Sequence, residues 1–135
     1  MKPEIKSIIF LLLITLIHPI LAQAQSEDYP GRSVYRYVPI WDTEKLNQQF
    51  DNVTIIDVRS HYEFDTLHIN GAVNIPLNLQ DFAAQVSSIK DPLKPIIFYC
   101  NGHTCYKSYK AQVKAEKAGI TNTFSYDSGV FDWVV

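Results

Sequence analysis

The sequence contains few cysteines and no concentrated block of basic residues. Cys100 and Cys105 are its only thiols in 135 residues, and 12 Lys and Arg side chains against 14 Asp and Glu give a net charge of −2. Without a basic block, nucleic acid is not expected as a partner. Two thiols are too few ligands for a structural metal site, so no metal centre is predicted. Internal repeats and low-complexity tracts are absent as well, and the length fits one domain with a single core.

The first 24 residues have the pattern of a secretory signal peptide. Lys2 and Lys6 precede an apolar run over residues 8–17, and Ala-Gln-Ala at residues 22–24 resembles a cleavage signal. We therefore expect cleavage after Ala24 and export to an oxidising compartment such as the bacterial periplasm, with no stable membrane span afterwards. The alternative is an uncleaved membrane anchor, because the uncharged stretch over residues 7–24 approaches the length of a spanning helix. No cysteine directly follows the apolar run at the cleavage region, which argues against a lipoprotein anchor.

The exported part divides into a leader and one folded domain. Residues 25–33 are polar, with Pro and Gly, and are predicted to form a flexible leader. The folded domain is then expected over residues 34–135. Within it, apolar and β-branched runs predict strands at 34–39 (a short edge strand), 53–58, 71–76, 95–100 and 121–127. Helical spacing and capping residues predict helices at 43–50, 61–66, 79–89 and 105–118.

This alternation of strands with helices of about ten residues predicts an α/β fold with a mainly parallel central sheet flanked by helices. Ligand sites in such sheets lie at the carboxyl ends of the strands. Two segments rich in reactive side chains follow predicted strands: "DVRSHYEF" from Asp57 and "CNGHTC" from Cys100.

The second of these segments has the features of a nucleophile site. Cys100 ends a strand, Asn101 and Gly102 favour a tight turn, and a helix begins just after. Backbone N–H groups of such a turn and of a helix N-terminus stabilise anions, so a reactive thiolate is expected at Cys100. Residues 101–105 would form the anion cradle, with Asn101, Gly102, His103 and Thr104 among them, and His103 and Lys107 would add positive charge.

Other interpretations of the two thiols remain open at this point. Cys100 and Cys105 could form a structural disulfide in an oxidising compartment, although so short a loop would give little stabilisation through chain entropy. A metal site would need more ligands than the two cysteines and His103. Cys100 could also be an inert buried thiol.

Three blocks of the sequence resemble rhodanese-like domains. "IIDVRSHYEFDTLHINGAVNIP" resembles the family block that reads Asp-Val-Arg, Glu-Tyr/Phe and Gly-His-Ile-x-Gly-Ala-x-x-Ile-Pro. "IIFYCNGHTCYKS" resembles the active-site strand and loop, and "YDSGVFDW" resembles the closing Gly-Gly-x-x-x-Trp segment. The resemblance covers about residues 34–135 and implies the three-layer rhodanese-like fold. The family usually continues into a last helix, which leaves open a truncated C-terminal helix here.

The resemblance implies a sulfurtransferase without a metal or organic cofactor. Cys100 would take a sulfane sulfur from a small donor as a persulfide and pass it to a thiol or a cyanide-like acceptor. Asp57 and Arg59 would order the site, with Arg59 pairing to Asp57 or Glu63. Cys105 occupies the position where family loops commonly end in Arg, so the guanidinium that grips an anionic donor is missing. The same absence weakens a phosphatase interpretation.

Cys105 and the following helix support two further hypotheses. Cys105 could resolve a persulfide or sulfenate on Cys100, which would suit a thiol–disulfide redox protein that cycles the pair, or it could be buried and inert. The spacing of Lys107, Lys110, Lys114 and Lys117 gives one basic helix face. That face is either solvated or a docking surface for an acidic redox or sulfur-carrier protein, and a non-catalytic binding module would use it without Cys100.

Overall fold

The computed structural model describes residues 29–135. The predicted signal peptide at residues 1–24, with its cleavage site, and the first part of the predicted leader at residues 25–28 lie outside the described residues. Within the described range, no helix is both long and apolar enough to cross a membrane.

A four-stranded sheet forms the centre of the domain, and all its strand pairs are parallel. The strand order is β2-β1-β3-β4, so β1 and β3 are the inner strands. Parallel neighbours need crossover connections, and helices supply these on both faces. This confirms the predicted α/β fold with a parallel central sheet. The strands are β1 (Thr54–Asp57), β2 (Val73–Asn74), β3 (Ile96–Tyr99) and β4 (Thr123–Tyr126).

Short helices connect and flank the strands, and their starts follow local capping rules. Asp42 accepts a hydrogen bond from the Lys45 N–H, and Ser60 and Glu63 form a reciprocal capping box. The predicted helix over residues 105–118 begins only at residue 107. The helices are α1 (Pro30–Val34), α2 (Thr43–Gln48), α3 (His61–Thr66), α4 (Phe82–Ile89), α5 (Lys107–Lys117) and α6 (Gly129–Trp133), with a 3-10 turn at Phe50–Asn52.

The core has two parts because alternate side chains of each strand face opposite sides of the sheet. On one side, β1 and β3 pack against α4 and α5, through Ile56, Val58, Ile96, Phe98, Cys100, Phe82, Val86, Ala111 and Ala115. On the other side, the sheet packs against α2 and α6 and against Trp41, which precedes α2. The residues of this part are Ile55, Ile97, Tyr99, Tyr126, Leu46, Trp41 and Val130. Cys100 thus continues the stripe of Ile96 and Phe98 and faces α5.

The predicted edge strand over residues 34–39 is wrong. Val34 ends α1, and Tyr37 is almost fully exposed, so the alternation in this segment buries no continuous face. Sheet pairing begins only where Ser125 donates its N–H to the Pro39 carbonyl (2.9 Å) and Trp41 donates its N–H to the Ser125 carbonyl (2.9 Å). Only Ile40 forms an isolated bridge to β4.

The predicted flexible leader is also wrong from Pro30 onward. Residues 30–34 form α1, and Arg32 donates two hydrogen bonds (2.8 and 3.0 Å) to the buried carboxylate of Asp127. Tyr109 donates its hydroxyl proton to the same carboxylate, and burial together with Asp127 raises the pKa of Tyr109. Polar composition indicated a solvated segment, but the Arg32–Asp127 contact joins residues 95 positions apart, and local pattern does not show it.

Candidate active site

The two cysteines lie at the carboxyl end of β3, at the edge of the sheet where ligand sites are expected. Cys100 directly follows β3, Cys105 comes just before α5, and the four residues between them form a turn. The Cys105 N–H donates to the Gly102 carbonyl (2.8 Å) and tightens this turn. Cys105 closes this turn, and α5 starts two residues later than predicted.

The N-terminus of α6 fixes the orientation of the loop peptides. The Val130 N–H donates to the Cys100 carbonyl (3.0 Å), and the Phe131 N–H donates to the Asn101 carbonyl (3.1 Å). In a planar trans peptide, C=O and N–H point in opposite directions, so the N–H groups of Asn101 and Gly102 point away from α6. Among residues 29–135, the backbone N–H groups of residues 101–104 find no protein acceptor. The loop therefore presents donors that could hold an anion.

Gly129 permits this close approach of α6 to the loop. A Cβ at this position would lie 2.5 Å from the carbonyl carbon and oxygen of Asn101 and from the Gly102 nitrogen. Gly129 also has a φ of 69°, in the left-handed region that favours glycine. The sequence had placed Gly129 in a motif but had given it no role in the loop.

A buried ion pair links the end of β1 to the cysteine loop. Arg59 is 3% exposed, and its Nη2 lies 2.6 Å from Asp57 Oδ2. Its Nη1 donates to Asn101 Oδ1 (3.0 Å), and Asn101 Nδ2 donates to Glu63 Oε1 (3.3 Å). Burial alone would lower the pKa of Arg59, but the hydrogen bonds and charge of Asp57 hold it above its ordinary value. Of the two partners expected for Arg59, the structure shows Asp57, and Asn101 carries the connection to Glu63.

The predicted cationic groups of the loop each face a carboxylate. His103 Nε2 lies 3.0 Å from Asp132 Oδ2, and the His103 ring stacks on Tyr29 with ring centroids 4.2 Å apart. Lys107 Nζ lies 3.9 Å from Glu63 Oε2. His103 is thus directed toward α6 and the N-terminal segment, while Lys107 is on the Arg59 side of the loop. Thr104 is exposed on the turn.

The Sγ atoms of Cys100 and Cys105 are in direct contact as a disulfide pair, with Cα atoms 6.4 Å apart. Cys100 is fully buried, whereas Cys105 is only partly buried. Ser108, a buried residue in the first turn of α5, places its Oγ 3.8 Å from Cys100 Sγ. Sequence reasoning missed Ser108. Its position eight residues after Cys100, on the inner face of the helix, was the available signal.

An open cavity of about 420 Å³ adjoins this region. It shares Val58 and Leu77 with the apolar cluster that contains both cysteines. Arg59, Lys107 and Lys110 also line it and make its rim basic. No group of three or more His, Cys, Asp or Glu residues within 29–135 is arranged to hold a metal ion.

Glu63 should make the stability of the domain depend on pH below about 4.5. Its carboxylate accepts hydrogen bonds from the Ser60 hydroxyl (2.7 Å) and the Ser60 N–H (3.0 Å), and these bonds, with smaller contributions from Asn101 and Lys107, lower its pKa to about 2. A lowered folded-state pKa stabilises the fold above the unfolded pKa, and this contribution is lost as pH falls from about 4.5 toward 2. Glu63→Gln should cost about 1 kcal/mol at pH 7 and reduce that acid dependence.

Urea unfolding of wild type and Glu63→Gln at pH 7, 4.5 and 3 measures this effect. Glu44→Gln is the matched control, because Glu44 lies in the first turn of α2, is exposed and forms no capping box. A difference between wild type and Glu63→Gln that stays constant over the three pH values would contradict the prediction.

Comparison with known proteins agrees with the fold. The family model described as a rhodanese-like domain matches residues 42–135. The thiosulfate:glutathione sulfurtransferase of Saccharomyces cerevisiae is 32% identical over 123 residues, which cover 83% of this chain and 85% of that protein. A solved structure of a human single-domain sulfurtransferase is 23% identical, has a TM-score of 0.59, and aligns with 71% of this chain and 95% of that chain. The similarity to this solved structure shows that the two chains share a fold.

A relative with a different kind of name is similar over part of its length. An HTH-type transcriptional regulator of Mycobacterium tuberculosis is 37% identical over 82 residues, which cover 60% of this chain. The match spans only about a third of that regulator's length (34%), so its name describes a larger protein.

Proposed function

Because this chain belongs to the family of rhodanese-like domains, we propose that it is a sulfurtransferase in which Cys100 carries the transferred sulfur as a persulfide. The observation that supports this most directly is the loop after β3. Its backbone N–H groups at residues 101–104 have no acceptor within the described chain, and α6 holds the Cys100 and Asn101 carbonyls, which orients the N–H groups of Asn101 and Gly102. Donors fixed in this way stabilise a thiolate or persulfide anion without reorganising during the reaction.

The proposed reaction starts from the reduced cysteine pair. The Cys100 thiolate attacks the sulfane sulfur of a thiosulfate-type donor, the donor S–S bond breaks, and sulfite leaves with its electron pair. A thiol or cyanide-like acceptor then attacks the outer sulfur of the Cys100 persulfide and regenerates the Cys100 thiolate. Ser108, 3.8 Å from Cys100 Sγ, is placed to donate a hydrogen bond to the thiolate in both steps.

The chemistry of the donor and acceptor follows from the basic cavity and from the relatives. Lys107 and Lys110 are exposed at the cavity beside the cysteine cluster and would attract an anionic sulfane donor. The S. cerevisiae relative is named for thiosulfate and glutathione, and we extend that class, a small anionic donor and a thiol acceptor, to this chain.

Part of the basic face of α5 is free to bind an acidic redox or sulfur-carrier protein. Lys107, Lys110 and Lys117 are exposed. Lys114 instead donates to the Leu77 and Leu79 carbonyls (both 3.1 Å) and ties α5 to the segment before α4. A docking surface would therefore consist of the three exposed lysines. Export to the periplasm, proposed from residues 1–24, would place such a partner there.

Intact mass spectrometry of the reduced, desalted protein tests the proposed sulfur transfer. In Cys105→Ser, where no second thiol can react, thiosulfate should add one sulfur atom to the chain. Cyanide should remove that atom and release thiocyanate. Cys100→Ser should show neither the adduct nor thiocyanate above the level without protein, because the nucleophile is gone. If no adduct forms in Cys105→Ser, or an equal adduct forms in Cys100→Ser, the proposal is wrong.

The contact between the two sulfurs favours a second candidate, a thiol–disulfide redox protein that cycles Cys100 and Cys105. Such a protein would oxidise or reduce a dithiol partner and need no sulfane donor. It predicts thiol exchange in the wild type that is lost in both single Ser variants, together with no thiosulfate adduct in Cys105→Ser.

A further inference from the structure

We propose that Cys105 is an internal acceptor that reduces the sulfane sulfur on Cys100 and releases it as sulfide. The inference rests on the proposed function, because it needs a persulfide on Cys100. The inference predicts a different product. Free sulfide leaves the protein, whereas simple sulfur transfer would leave the sulfur atom bound to an external acceptor. The overall activity would then be that of a sulfane-sulfur reductase that uses an external dithiol.

The first observation is that the fold brings the second thiol into reach. The Cys105 N–H to Gly102 carbonyl bond closes the turn, and the two Sγ atoms touch. Both side chains pack in the apolar cluster formed with Val58 and Ile75. A nucleophile held in this way acts at an effective concentration in the millimolar range or above, which favours it over a dilute external thiol.

The second observation is the difference in exposure between the two sulfurs. Cys100 is 0% exposed, and Ser108 and the Cys105 carbonyl oxygen lie against its Sγ (3.8 and 3.4 Å). Cys105 is only partly buried and lies two residues before the start of α5. A sulfur acceptor from solution therefore meets Cys105 before it meets Cys100, and Cys105 is the nearest acceptor for sulfur chemistry at Cys100.

The proposed step balances without another reactant. The Cys105 thiolate attacks the inner sulfur of the Cys100 persulfide, the Cys100 Sγ bond to the outer sulfur breaks, and the outer sulfur leaves as hydrosulfide with the electron pair. The two cysteine sulfurs are oxidised to a disulfide, and the sulfane sulfur is reduced to sulfide. The product is the Cys100–Cys105 pair that the structure shows.

A second exchange returns the protein to its reduced form. An external dithiol attacks Cys105 Sγ, the more accessible sulfur, and the Cys100 thiolate leaves. The second thiol of the reductant resolves the mixed disulfide. The start of α5, next to Cys100, favours the leaving thiolate because helix N-termini stabilise negative charge.

A single-turnover experiment tests the inference. Reduced, desalted wild type is mixed with thiosulfate without added thiol, and sulfite, sulfide, protein mass and alkylatable thiols are measured together. We expect one sulfite and one sulfide per chain, with both cysteines ending as a disulfide that resists alkylation. Cys105→Ser should release sulfite but no sulfide and should retain one sulfur atom. Adding a small thiol to that variant should then release sulfide in a second-order reaction.

The outcomes separate the two proposals. If Cys105→Ser releases no sulfite and gains no sulfur, the proposed sulfur transfer itself fails. If Cys105→Ser forms the persulfide while wild type also retains its sulfur and releases no sulfide, the transfer stands and the internal acceptor is wrong. Cys105→Ala serves as a second variant, and the sulfite yield shows for both variants whether the site is folded.

Discussion

Gly129→Ala should destabilise the domain by about 3 kcal/mol. The new Cβ would lie 2.5 Å from the backbone of Asn101 and Gly102, and these neighbours are main-chain atoms that no rotamer change can move. The residue would also keep a φ of 69°, which an L side chain rarely adopts. Moving α6 away would weaken the bonds from Val130 and Phe131 to the loop carbonyls, so the rate of the proposed persulfide formation should fall as well. Urea unfolding gives the free energy.

Gly119→Ala is the matched control for this variant. Gly119 has a φ of 82°, but a Cβ there meets no atom within 4 Å. Gly119→Ala should lower the free energy of unfolding by about 1 kcal/mol, from backbone conformation alone. The difference between the two losses of unfolding free energy measures the cost of placing a Cβ where α6 closely approaches the cysteine loop. Equal losses would mean that the loop relaxes freely and that Gly129 does not hold it.

Arg59→Met should cost about 3 to 5 kcal/mol. It removes the guanidinium from a fully buried Asp57 and leaves that carboxylate with one remaining hydrogen bond, from the Arg59 backbone N–H (2.9 Å). It also removes the bond to Asn101 Oδ1, so the loop loses its connection to β1. The free energy of unfolding, measured in urea at pH 7, gives the size of the effect.

Two comparisons make this result specific. Lys107→Met deletes a cation that is 47% exposed and lies 3.9 Å from Glu63, and such a pair contributes less than about 1 kcal/mol. The double variant Asp57→Leu with Arg59→Met removes both buried charges and should be more stable than Arg59→Met alone. Similar losses in Arg59→Met and Lys107→Met, or no recovery in the double variant, would contradict the interpretation.

Most of the regular structure could be predicted because its signals are local. The apolar runs around Ile56 and Phe98 indicated buried parallel strands, and Ser60 indicated the start of α3; the structure contains each of them. The segment over residues 30–39 could not be predicted in the same way. Its β-prone alternation and polar composition were outweighed by contacts of Arg32 with Asp127 and of Gly31 with the Tyr109 ring, on elements far along the chain.

The candidate site, like the fold, could be predicted from the sequence only in part. The sequence placed Cys100 at the end of a strand and identified Asn101, Arg59 and Glu63 as its surroundings, but it left open which carboxylate pairs with Arg59. It also left open whether Cys105 touches Cys100. Those choices depend on distances between side chains on different elements, which residue pattern does not encode.

The sequence by itself determined the α/β architecture, the family resemblance and the position of the loop that carries Cys100. These follow from strand and helix periodicity and from turn residues that act over a few positions. Only the tertiary structure decided that Asp57 is the partner of Arg59, that Gly129 lets α6 orient the loop peptides, and that the two sulfurs meet. The physical reason is that burial, close backbone approach and contact between sulfurs are set by how the elements pack against one another.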